Sequence, residues 1–158
     1  MSDSPESVVE EVVEDLPSEA AGNELAVLTA DLQRLQAEYA NYRKRIERDR
    51  ALAHDLAIGA VLTELLPILD DLDRAREHGE LEGGFKAVAD QLTNVTSRIG
   101  LEKFGEVGTA FNPQIHEALL HSTSPEVTEP TASAILQPGY TYKERVLRPA
   151  RVAVTDPE

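Results

Sequence analysis

Leu25, Leu28, Leu32, Leu35, Tyr39, Tyr42 and Ile46 recur at alternating steps of three and four. That spacing is a heptad seam. It predicts a long helix whose apolar stripe needs a second helix along its length. Asn23 suits the N-cap, and no proline occurs from Glu24 to Leu66. A helix of that extent would be a rod of about 65 Å. A second stripe, Ile58, Leu62, Leu65, Leu69 and Leu72, runs about two residues out of phase with the first. At about 100° per residue it faces another direction, so one helix should serve two packing environments, a two-helix stalk and a wider bundle. Pro67 lies inside the second stripe and predicts a kink or break near Leu65–Leu66. Asp70, Asp71 and Asp73 read as an exposed acidic face, and His78-Gly79 as the helix end. Phe85, Val88, Leu92, Val95 and Ile99 then mark a shorter helix stopped by Gly100.

After Leu101 the pattern changes. Frequent glycine and proline exclude long helices, and only Asn112 to Leu120 reads as a helical turn or two. Ile135–Leu136, Tyr140–Tyr142, Val146–Leu147 and Val152–Val154 are short β-prone runs. The expected class is α+β. Residues 1–22 form an acidic tail, 23–66 a long coiled-coil helix, 67–100 the bundle helices and 101–158 a small β domain.

Composition narrows the functions available. Net charge is −14, and half of it falls within residues 1–20, which lack lysine and arginine and read as a solvated tail. Such a field opposes binding to nucleic acid or anionic lipid. Cysteine is absent, which excludes disulfides and thiol catalysis. No uncharged apolar run approaches the roughly 20 residues of a membrane span. No basic residue precedes an apolar core at the N-terminus, so a signal peptide is not expected and the cytoplasm is the default.

Candidate chemistry is sparse. His54, His78, His116 and His121 show no metal-ligand spacing, and no phosphate loop or nucleophile elbow occurs. No catalytic, cofactor or metal site is expected. Arg43, Lys44, Arg45, Arg48 and Arg50 resemble a zipper protein's basic region, but there the basic run precedes the heptads and here it follows them. Helix-surface ion pairs such as Arg43–Glu47 and Arg45–Asp49 explain the run best, with a partner-protein contact as the next reading and nucleic acid last.

Four segments in order resemble one family. Tyr39–Arg45 reads YANYRKR, Leu65–Ala75 reads LLPILDDLDRA, Phe111–Ala118 reads FNPQIHEA, and Gly139–Val154 reads GYTYKERVLRPARVAV. Together, over roughly residues 24–155, they resemble GrpE, the nucleotide exchange factor of the DnaK chaperone. The resemblance implies a homodimer with paired long helices, a dimeric four-helix bundle and a small β domain on each subunit. It implies no enzyme activity and no cofactor. The implied action is binding to the ATPase domain of a DnaK-type chaperone, opening its cleft and releasing ADP during protein folding and stress. A coiled-coil scaffold with an appended β module is the competing class; it would have no need of the C-terminal signature.

Carried onto this chain, the resemblance points to Arg145, Leu147, Arg148 and Val154 as partner-binding. Gly84 matches a bundle glycine. Leu147 and Val154 read equally as β-domain core, Arg145 and Arg148 as surface, and Gly84 as a plain helix-start glycine. The dimer would use Leu25, Leu28, Leu32, Leu35, Tyr39, Tyr42, Ile46, Leu62, Leu65, Leu69 and Leu72. His116 is expected to hydrogen-bond within its turn, capped by Asn112. The turn before Arg145 reads Lys143-Glu144 where Asn-Gly is the family's usual pair, so positive φ is costly there.

Overall fold

The computed structural model describes residues 18–158; the tail reading of residues 1–17 lies outside them. Helix α1 spans Glu19–Glu77 and α2 spans Gly83–Ile99. Six strands follow: β1 (Leu101–Phe104), β2 (His116–Ser124), β3 (Thr131–Gln137), β4 (Gly139–Tyr142), β5 (Arg145–Arg148) and β6 (Ala150–Pro157). The α+β class holds. The chain divides into two compact units at Ala51/Leu52.

The first unit is the leading part of α1. It starts at Glu19 rather than at the expected Asn23, because the Ser18 hydroxyl accepts the Ala21 N–H at 3.3 Å and serves as the cap. Leu25, Leu28, Leu32, Leu35, Tyr39 and Tyr42 are all at least half exposed. Arg43 pairs with Glu47 at 4.0 Å, as the spacing predicts. Arg45 instead lies over the Tyr42 ring, 5.8 Å from its centroid. A surface cation over an aromatic face is worth about as much as an exposed ion pair, so the ring competes with Asp49.

In the second unit α1 runs through Pro67 to Glu77 as one helix, so of the expected kink or break the break does not occur. Pro67 leaves the Thr63 carbonyl without its helical donor. Both residues are exposed, so water can replace that bond. On the buried side Leu62, Leu66, Leu69 and Leu72 hold the axis in place. Helix α2 ends where predicted: Gly100 takes φ 112°, and its N–H bonds back to the carbonyls of Ser97 and Thr96.

The strands make two three-stranded sheets. One has the antiparallel order β1-β4-β5. In the other, β6 lies between β2, which runs parallel to it, and β3, which runs antiparallel. All four β-prone runs fall within strands. The expected helix at Asn112–Leu120 is a correction. A turn closes at Asn112, whose carbonyl accepts the N–H groups of Ile115 and His116, and from His116 the chain is extended along β6. Pairing with the Val152–Val154 strand outweighs local helical preference.

Two cores result. One joins Leu62, Leu66, Leu69 and Leu72 of α1 to Ala89, Leu101, Tyr140 and Tyr142. The other is Ala132, Ala150, Val152 and Val154, flanked by Phe104, Phe111, Ala118 and Ile135. By length and composition one 18-residue window of α1 is apolar enough to cross a membrane, although no uncharged run of that length occurs in the helix. Leu62, Leu66 and Leu69 are nonetheless buried inside the protein, so that apolar face already serves the core.

Candidate partner interface

The C-terminal signature folds as the β4–β5 hairpin followed by β6. Strands β4 and β5 are joined by Lys143-Glu144, with Tyr142 opposite Arg145. Lys143 is the one non-glycine residue with positive φ, 52°, among the described residues. Its ammonium reaches Asp55 at 2.6 Å and lies 5.6 Å from the centre of the Tyr142 ring. The hydrogen bond from Lys143 holds the Asp55 carboxyl below its ordinary range, and the same bond raises the Lys143 ammonium. These contacts offset the backbone cost that Asn-Gly would have avoided.

Arg145 is exposed on β5 and makes no ion pair among the described residues. It stands as expected, a cation offered to solvent. Arg148 does not. Its guanidinium grips Asp70 of α1 through two bonds of 2.6 and 2.7 Å, donates to the Pro138 carbonyl at 2.8 Å and covers the Tyr140 ring at 5.3 Å. The Arg148 and Asp70 side chains are 18% and 17% exposed, so the surface reading of both is corrected. Burial raises the Asp70 carboxyl, but hydrogen bonds from Arg148 and Gln137 outweigh it and the net shift is downward. Asp73 likewise pairs with Lys103 and Arg76 instead of standing free. Burial pushes the Tyr140 hydroxyl up to about 12, so it stays neutral.

Val154 is 1% exposed and belongs to the second core. Leu147 packs against the first core. Both residues are packed into cores of this chain. Gly84 lies in the first turn of α2 with open space where a Cβ would project, as a helix-start glycine would.

Leu62, Leu69 and Leu72, expected at the dimer seam, are buried within the single chain, in a core shared with Leu66, Ala89, Leu101, Tyr140 and Tyr142. Their stripe packs into this chain's own core, with the β4 tyrosines among its members. Leu65 is only half-buried. It shares an open apolar groove with His54, Ala57, Ile58, Val61 and Ile99.

His116 is buried at the start of β2, and its Nδ1 accepts the Asn112 N–H at 3.1 Å. The ring lies near Phe104 and Phe111, with centroids 6.4 and 5.9 Å away, and burial lowers its pKa. The Asn112 side chain accepts the Gln114 N–H at 2.9 Å, closing the turn. His116 is thus a structural residue. No cluster of three or more metal-ligating side chains forms among the described residues. Arg151, on an exposed position of β6, pairs with Glu117 at 2.9 Å.

Known proteins match the sequence along most of its length. The GrpE family model matches residues 3–156. Protein GrpE 1 of Streptomyces avermitilis is 63% identical over 130 residues, covering 82% of this chain and 59% of that protein. Protein GrpE of Streptomyces coelicolor is 61% identical over 130 residues, 82% of this chain and 58% of that protein. Protein GrpE of Mycobacterium tuberculosis is 46% identical over 136 residues, 85% of this chain and 58% of that protein. The chain spans about three fifths of the length of these relatives. With the family model matched over nearly all its residues and a helix-then-hairpin order that carries all four motifs, the chain belongs to the GrpE family.

Proposed function

We propose that this protein is an adenine-nucleotide exchange factor for a DnaK-type chaperone. It binds the chaperone's ATPase domain, favours the open cleft and so promotes ADP release in protein folding and the stress response. The observation that carries this reading is family membership together with a signature hairpin that leaves Arg145 unpaired and exposed. The mechanism is a population shift. A factor that binds the open conformer more tightly than the closed one weakens binding of a nucleotide that favours the closed one, and the nucleotide weakens the factor's binding equally in return. No bond is made or broken, so the protein acts as a co-chaperone and not as an enzyme; its place of action is the cytoplasm.

The working form is a homodimer paired through the α1 seam. Support comes from six large apolar side chains left at least half exposed at heptad spacing. Fully burying one leucine is worth roughly 1.5–3 kcal/mol, which gives a second helix ample reason to cover them. Arg145 is the contact residue on the β domain. Arginine suits that part because an apolar stem and a five-donor head combine on one side chain.

The test is release of fluorescent ADP from a DnaK-type ATPase domain. Micromolar amounts of this chain should accelerate it, and Arg145→Ala should raise the concentration needed. No acceleration by the unmodified chain would end the exchange-factor reading.

A further inference from the structure

One face of α1 carries Asp55, Gly59, Leu62, Leu66 and Asp70, at steps of four, three, four and four. Residues so spaced lie in one row along a helix. The row has a carboxylate at each end, apolar residues between them and a gap where Gly59 lacks a side chain. The β4–β5 hairpin has the complementary order. Lys143 at its turn meets Asp55, and Arg148 at the far end of β5 meets Asp70. Between them, Leu147 and Tyr142 fill the gap. A Cβ placed on Gly59 would stand 3.3 Å from the Leu147 Cδ2 and 3.8 Å from the Tyr142 ring.

The register of the hairpin makes this match possible. Tyr140 faces Arg148 and Thr141 faces Val146, so Leu147 is an extra residue on β5. In a regular strand Leu147 and Arg148 would point to opposite faces. A bulge re-aims one of the two, and here both reach α1.

We propose that this row is a receptor for the chain's own hairpin, and that Asp55–Lys143 and Asp70–Arg148 are positioning pairs that fix the angle at which the β unit presents Arg145. Arg148 and Lys143 then serve partner binding without touching the partner. This rests on the exchange-factor reading. It also assigns Arg148 a different part from the direct contact expected on sequence grounds. The physical consequence is preorganisation. A β unit free to swing is competent for binding only a fraction of the time, and apparent affinity falls by that fraction while the bound complex is unchanged.

The chain has no cysteine, so introduced cysteines can be spin-labelled cleanly. Labels at Glu64→Cys on α1 and Ser133→Cys on β3 report the angle, with labelled chain diluted in unlabelled chain to isolate the distance within one molecule. Both positions are exposed. Wild type should give a narrow distance distribution. Lys143→Gln with Arg148→Gln should broaden it and raise the half-saturating concentration for ADP release about ten-fold, with the maximal rate unchanged, as for a competent fraction near one tenth.

Should that double variant unfold, judged by loss of the tyrosine near-UV signal, Lys143→Gln alone at the exposed turn takes its place. The exchanged pair Asp55→Lys with Lys143→Asp should restore both width and half-saturation, since aspartate tolerates positive φ. An unchanged width in the broken variants overturns the proposal. So does broadening without a change in half-saturation, or a fall in maximal rate in its place. If wild type fails to accelerate ADP release, the exchange-factor reading falls, and the label widths still decide whether the clamp exists.

Discussion

Gly139 opens β4 directly opposite Phe104 of β1. Its φ is not in the left-handed region, so conformational freedom is not what selects glycine there. The reason is space. A Cβ at position 139 would stand 2.6 Å from both Cε1 and Cε2 of Phe104, with Cζ nearer still. The ring cannot step aside cheaply, because it packs against the Ala132, Ala150, Val152 and Val154 core and lies beside His116. Gly139→Ala should therefore cost about 1–3 kcal/mol, the usual penalty for overpacking. For a chain of this size that lowers Tm by roughly 2–4 °C per kcal/mol. The assay is urea unfolding at fixed chain concentration, followed by tyrosine near-UV dichroism. Tyr140 and Tyr142 are buried beside the site, whereas Tyr39 and Tyr42 are exposed and should contribute little. Phe104→Leu removes the obstructing ring edge, so Gly139→Ala should cost at least about 1 kcal/mol less in that background. A single-variant cost below about 0.5 kcal/mol, or additivity of the two changes within about 0.5 kcal/mol, would refute the steric account.

Leu62 is 1% exposed, and Leu62→Ala should cost roughly 2–5 kcal/mol in the same unfolding assay; a loss near zero would mean that the β4 tyrosines do not cover it. His116 is held neutral by burial, so its folded pKa lies below the unfolded value near 6.5. Its contribution to stability is present above about pH 6.5 and is lost as pH falls through the folded pKa, because the unfolded chain then binds more protons. Protonation also removes the Nδ1 acceptor for the Asn112 N–H. His116→Gln should flatten that part of the stability-against-pH curve, and an unchanged slope would show that another group titrates. Leu32→Asp with Leu35→Asp puts carboxylates into the exposed seam and should halve the mass measured by light scattering, whereas an unchanged mass would place the dimer contact elsewhere.

Much of this architecture was legible in the sequence because local rules decide it. Heptad spacing announced the helix, Gly100 its neighbour's end, and β-branched and aromatic runs the strands β3 to β6. The second stripe shows where such reading stops. Periodicity established that Leu62, Leu69 and Leu72 share a face, and could not say what would cover it. Within this chain it is covered by a core that includes Tyr140 and Tyr142, far along the sequence. Strand β2 was missed because its partner β6 supplies the reason to be extended, and that pairing joins residues more than thirty positions apart. Pro67 marked a break that the buried leucines on the other side of the helix prevented. Arg148 and Asp70, 78 positions apart, each read as surface charge until folding brought them together. The sequence alone determined the faces, the caps and the family motifs, since those depend on neighbours along the chain. Only the tertiary structure decided which faces meet, because burial and ion pairing are settled between residues whose separation in sequence carries no trace of their contact.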